Sequence, residues 1–160
     1  MRKTLIVAAL AGTLAVPATA QATSSDRENA SKECRSERGT TAATREAFTA
    51  HYRTFGKCVS AKTREEAAER QAAKRGAQQA CRGNKDKTCV SKATKAAKQA
   101  ADDQDAKAIA DRKTAAKQCS QERGTTAASR EAFAKKYGTN ANGRNAFGKC
   151  VSALAKTLGG

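Results

Sequence analysis

Tryptophan is absent, histidine and proline occur once each, and aromatic residues make up 4% of this 160-residue chain. Each shortage excludes something. The lone proline, Pro17, lies near the N-terminus, so nothing after it breaks a helix at the backbone. The lone histidine, His51, leaves no way to assemble a Ser-His-Asp or Cys-His set. Basic stretches without aromatics lack the stacking platforms of single-strand nucleic-acid binders. Helices without a wide Leu, Phe or Trp face are poorly suited to disrupting membranes. Zinc is disfavoured as well, because no Cys-x-x-Cys pair exists to hold it.

The longest apolar run, Leu5 to Val16, is too short to span a bilayer. It follows Arg2 and Lys3 and precedes small-residue cleavage candidates at Ala18-Thr19-Ala20 and Ala20-Gln21-Ala22, so residues 1–22 read as a secretory signal peptide. The expected location is secreted or extracytoplasmic, in a periplasm or cell wall. Beyond the signal, 29 basic residues face 15 acidic ones, a net charge of +14. Six cysteines in an exported chain point to three disulfides.

What the sequence does have is repetition. Cys34 to Cys58 is echoed by Cys119 to Cys150 at an offset of 85 residues as far as Tyr52 and Tyr137. Glu37 to Ala43 matches Glu122 to Ala128, and Arg45-Glu46-Ala47-Phe48 matches Arg130-Glu131-Ala132-Phe133. The second copy then carries seven extra residues, Asn140 to Ala146, before both rejoin at Phe-Gly-Lys-Cys-Val-Ser. Such self-similarity marks one supersecondary unit used twice. It predicts disulfides Cys34–Cys58 and Cys119–Cys150, leaving Cys81–Cys89. The expected fold is all-α: helical modules at 23–62 and 118–160, with an Ala/Lys-rich helical connector at 63–117. A worn third copy is expected at 81–92. The connector is expected either as a packed hairpin, through stripes such as Ala61/Ala68/Ala72 and Ala93/Ala97/Ala101/Ala108, or as solvated linker helices.

Local signals set the expected boundaries. Gly39 and Gly124 suit the left-handed position past a helix end. Thr44 and Ser129 are expected as N-caps, with Glu46 and Glu131 in the first turn. Phe48/Tyr52 and Phe133/Tyr137 share a helical face at i, i+4 spacing. Gly138 is expected to end a helix, Asn140 or Asn142 to start the next, and Thr88 to cap the helix after the middle turn. Phe147, Val151, Leu154 and Leu158 fall on one stripe of the last helix.

For function, no catalytic residue set, metal site or cofactor site emerges. Charge is the clue with physical force: an exported protein at +14 concentrates at polyanions such as wall polymers or anionic surfaces, with nucleic acid an in vitro ligand by the same physics. A specific site, if present, is expected at Lys135, Lys136, Tyr137, Arg144 and Lys149, around the asparagine-rich insertion. The alternative is a purely structural spacer of the cell envelope. The string from Lys136 to Ser152 resembles a repeat in exported, Ala/Lys-rich cysteine-repeat proteins of high-GC actinobacteria that carry no assigned function. That resemblance implies export and modularity, and brings no catalytic residues with it.

Overall fold

A computed structural model describes residues 21–159, and the signal segment expected at 1–22 lies almost wholly outside them. Those residues form six helices and no strand: α1 (Ser24–Arg38), α2 (Ala42–Tyr52), α3 (Phe55–Ala80), α4 (Cys89–Arg123), α5 (Ala127–Tyr137) and α6 (Ala146–Gly159). None is long and apolar enough to cross a membrane. The disulfides are Cys34–Cys58, Cys81–Cys89 and Cys119–Cys150, the pairing that the repeat predicts.

The same local geometry occurs twice, in α1–α2–α3 and α4–α5–α6. In each, a long helix ends at a glycine with positive φ, Gly39 at 57° and Gly124 at 62°. A Cβ on Gly39 would meet Thr44 Oγ1 at 2.7 Å, and one on Gly124 would meet Ser129 Oγ at 2.8 Å. Both positions therefore demand glycine for conformation and for space. Thr44 and Ser129 are not the caps, because their hydroxyls turn back to donate to the carbonyls of Thr41 and Thr126. The short helices start three residues earlier, with Thr41 and Thr126 accepting from the amides of Thr44 and Ser129. Glu46 and Glu131 consequently sit past the first turn and form ion pairs instead, with Arg123 and Lys135.

Two other boundaries differ from expectation. Thr88 precedes α4 but makes no capping bond: its backbone is helical (φ −95°, ψ −7°) where the capping threonines are extended, and its hydroxyl donates to Asp86. α6 begins at Ala146, after a loop that Asn145 closes by accepting from the Thr139 amide and donating to its hydroxyl.

The core is small and the copies share it. Phe133, Phe147, Cys119, Cys150 and Val151 are buried together with Ala115 and Ala116, and Ala47 of α2 joins them. A second cluster holds Phe48 with Cys34 and Cys58. Burying each aromatic ring contributes roughly 1.5–3 kcal/mol, and a disulfide closing 24 or 31 residues adds about 3–4 kcal/mol in the loop-entropy account. Ion pairs tie the first two helices to α4: Arg112 pairs with Glu37 of α1, and Arg123 with Glu46 of α2.

α3 and α4 pack as an antiparallel hairpin clipped by Cys81–Cys89, so the connector is not a pair of solvated linkers. Its buried face is turned from the expected stripe. Ala67, Ala73 and Ala77 are buried, whereas Ala61, Ala68, Ala97 and Ala108 are exposed. The reason is α1, which packs along α3 near the modules and draws Lys62 and Glu66 inward. Toward the tip α1 has ended, and Ala72, Ala93, Ala97 and Ala101 line an open groove of about 440 Å³.

Candidate functional site

The hairpin separates charge along its length. Near the modules, α1, α3 and α4 enclose an acidic layer. Lys62 Nζ lies 3.1 Å from Asp105, 3.1 Å from Glu65 and 3.3 Å from Glu33. Lys98 Nζ lies 2.6 Å from Glu66 and 3.0 Å from Asp102. Burial, with Asp105 and Glu66 nearby, pushes Glu33 up to about 7 against the pull of Lys62. The same layer raises Lys62 and Lys98 above the usual lysine range, because their carboxylate partners outweigh desolvation.

The tip is the opposite. Between Arg70 and Asp102 the chain carries eight lysines and arginines and one carboxylate, Asp86. Lys98 is held by the acidic layer, and Lys92 reaches Asp86 at 3.5 Å. Lys74, Arg75, Arg82, Lys85, Lys87 and Lys95 are all exposed, and among the described residues none forms an ion pair.

The turn, which carries Arg82, Lys85 and Lys87 of these six, is ordered by its own chemistry. Asn84 Oδ1 accepts from the Asp86 amide at 2.9 Å, and Asp86 Oδ1 accepts from both the amide and the hydroxyl of Thr88 at 2.8 Å. Those bonds hold the Asp86 carboxyl below its ordinary range, so it stays charged and occupied with the turn. The disulfide closes the turn from the other side. Six free cations thus stand on a scaffold that needs little further ordering, which lowers the entropy lost on binding.

The residues singled out from the sequence lie elsewhere, beside the asparagine loop. Lys135 pairs with Glu131 at 2.8 Å, and Lys136 with Glu122 at 2.5 Å while lying over the Tyr137 ring. Tyr137 donates to Glu122 at 2.9 Å, and these bonds hold the Glu122 carboxyl below its usual range. The loop is closed by internal bonds, Arg144 N to Asn142 Oδ1 among them. Of the five residues, Arg144 and Lys149 remain exposed and outside ion pairs among the described residues. Glu37 occupies the place of Glu122 in the first copy, accepting from Tyr52 at 3.1 Å and from Arg112.

His51 lies exposed with its ring edge-on to Tyr52 at 4.3 Å between centroids. The tip charge was readable in composition, as a run of 31 residues with one carboxylate. The buried acidic layer was not, because its members look like ordinary surface charges. No protein-family model, curated protein or solved structure matches this chain.

Proposed function

We propose that this chain is an exported, non-catalytic module that binds polyanionic polymers or surfaces of the cell envelope through the tip of the α3–α4 hairpin. The observation that carries the reading is the tip's six exposed cations without carboxylate partners, three of them (Arg82, Lys85 and Lys87) on a turn fixed by a disulfide and the others on the flanking ends of α3 and α4. Other exposed cations, such as Arg35, Lys57 and Arg130, also lie outside ion pairs among the described residues, but there carboxylates are interspersed along the chain, whereas the tip has Asp86 alone. A surface left unneutralised focuses positive potential and attracts extended anions. Three disulfides support an oxidising, extracytoplasmic setting. The ligand class is a repeating phosphate or carboxylate polymer, and duplex DNA binds in vitro by the same counterion release.

Titrating the oxidised protein against poly(glycerol phosphate), polyglutamate and duplex DNA over a range of salt tests this. Affinities should rank by charge density, with log K falling linearly in log salt. Binding that ignores salt, or no binding at low salt, overturns the proposal.

A further inference from the structure

The acidic layer holds more negative charge than its lysines neutralise, and three of its buried oxygens have no hydrogen-bond partner: Glu33 Oε2, which still lies 3.3 Å from Lys62 Nζ, and one each on Glu66 and Glu69. Glu66 is 1% exposed, the largest of the fully buried side chains. Its Oε2 accepts from Lys98, but its Oε1 is buried without a hydrogen-bond partner. Glu69 Oε2, one helical turn further along α3, is buried and unpartnered too. A carboxylate oxygen can only accept, so each calls for a donor or a cation. Glu66, Glu69 and Asp102 can each offer one carboxylate oxygen such that all lie within 4.8 Å of one another.

We propose that Glu66, Glu69 and Asp102 form a binding site for a hard divalent cation of the calcium and magnesium class. The donor chemistry selects that class. The ligands are carboxylate oxygens, which suit calcium, magnesium and manganese, while the soft ligands are gone because every cysteine is oxidised. Charge balance favours it as well. Glu33, Glu66, Glu69, Asp102 and Asp105 share this layer with Lys62 and Lys98, whose ammonium groups are already engaged. Lys98 holds Glu66 Oε2 and Asp102 Oδ1, so each of these carboxylates keeps a second oxygen that Lys98 does not occupy. Glu66 and Glu69 are fixed three residues apart on α3, and Asp102 faces them from α4, so an ion would tie the two arms of the hairpin together.

The rest of the molecule makes the test clean. A chain at +14 repels divalent cations almost everywhere else. The oxidised protein is titrated with Mn²⁺, free ion being read by electron paramagnetic resonance. Thermal unfolding is followed in parallel with Ca²⁺, with Mg²⁺ and with EDTA. The same measurements are made on Glu69→Gln, which leaves the Lys98 bridge to Glu66 and Asp102 in place; circular dichroism verifies its helix content. The expected result is one Mn²⁺ bound per chain, displaced by Ca²⁺ or Mg²⁺, with an unfolding temperature that rises with the ion and falls back with EDTA. Glu69→Gln should bind at least ~10-fold more weakly and lose most of the thermal response. Undiminished free Mn²⁺ with the wild-type chain would overturn the site and leave the layer to a proton shared between Glu33 and Glu66. Equal binding by Glu69→Gln would overturn it too, by placing the ion elsewhere.

Discussion

Arg123, the last residue of α4, donates through both terminal nitrogens to the two carboxylate oxygens of Glu46 in α2, with Nη2 2.8 Å from Oε2. The same guanidinium lies 4.6 Å from the centroid of the Phe147 ring. One side chain thereby joins the short helix of the first copy to the aromatic core of the second. The two modules are expected to unfold together. Arg123→Ala should lower stability by about 1–2 kcal/mol, combining a half-exposed ion pair with a cation–π contact. Urea unfolding followed by far- and near-ultraviolet circular dichroism should give one coincident transition in both proteins. Two separated transitions in the wild-type chain would mean that the copies fold independently.

The disulfides should differ in reducibility and in stabilising effect. Cys34, Cys58, Cys119 and Cys150 are at most 2% exposed, whereas Cys81–Cys89 closes the solvent-facing turn. Under graded reductant, Cys81 and Cys89 should be alkylated first, as read by mass spectrometry of trapped peptides. Replacing both with alanine should cost about 2–3 kcal/mol for the eight-residue separation, and replacing Cys119 and Cys150 more than 3 kcal/mol. First labelling at Cys34 or Cys119 would contradict the packing described.

Acid should weaken the seat of α1 through Asp26. Burial alone would raise its carboxyl, but the Arg70 guanidinium and the Thr23 amide outweigh that and hold it at about 2 instead of the usual 3.8. The folded chain therefore binds this proton less readily than the unfolded chain. The stabilisation is fully present above about pH 4 and lost as pH falls through about 2, on the order of 2 kcal/mol. Asp26→Asn should flatten that part of the stability–pH curve in urea unfolding at low pH. An unchanged slope would show that Asp26 does not carry it.

Much of the fold was legible because the repeat and the cysteines constrain each other. The cysteines also mark the buried faces, a signal that goes further than pairing. Stepping by helical turns from Cys34 reaches Ala30 and Asp26, and from Cys58 it reaches Lys62 and Glu66, all buried. Composition hides this, since Lys62 and Glu66 look like surface charge until α1 covers them. The contact between modules was hidden for a different reason: it uses Ala47, and Ala50 against Gly148, whose small side chains read the same on a surface as in an interface. At the asparagine loop, the Glu131 and Lys135 spacing of four already implied a paired lysine. Lys136 was less readable, because its partner Glu122 lies 14 residues away, across the break between α4 and α5.

The most direct test of polyanion binding through the hairpin tip compares two charge-matched variants. One replaces Lys85 and Lys87 with glutamine; the other replaces Arg144 and Lys149. All four side chains are exposed and outside ion pairs among the described residues, so both variants should keep the wild-type fold. Binding to duplex DNA is measured from low to about physiological salt, where each lost phosphate contact reduces the slope of log K against log salt by about 0.9. The tip variant should lose up to about two contacts' worth of slope and bind more weakly at every salt concentration. The loop variant should follow the wild-type line. Loss of slope in the loop variant with the tip variant unchanged would contradict the account and move the binding surface to the asparagine loop.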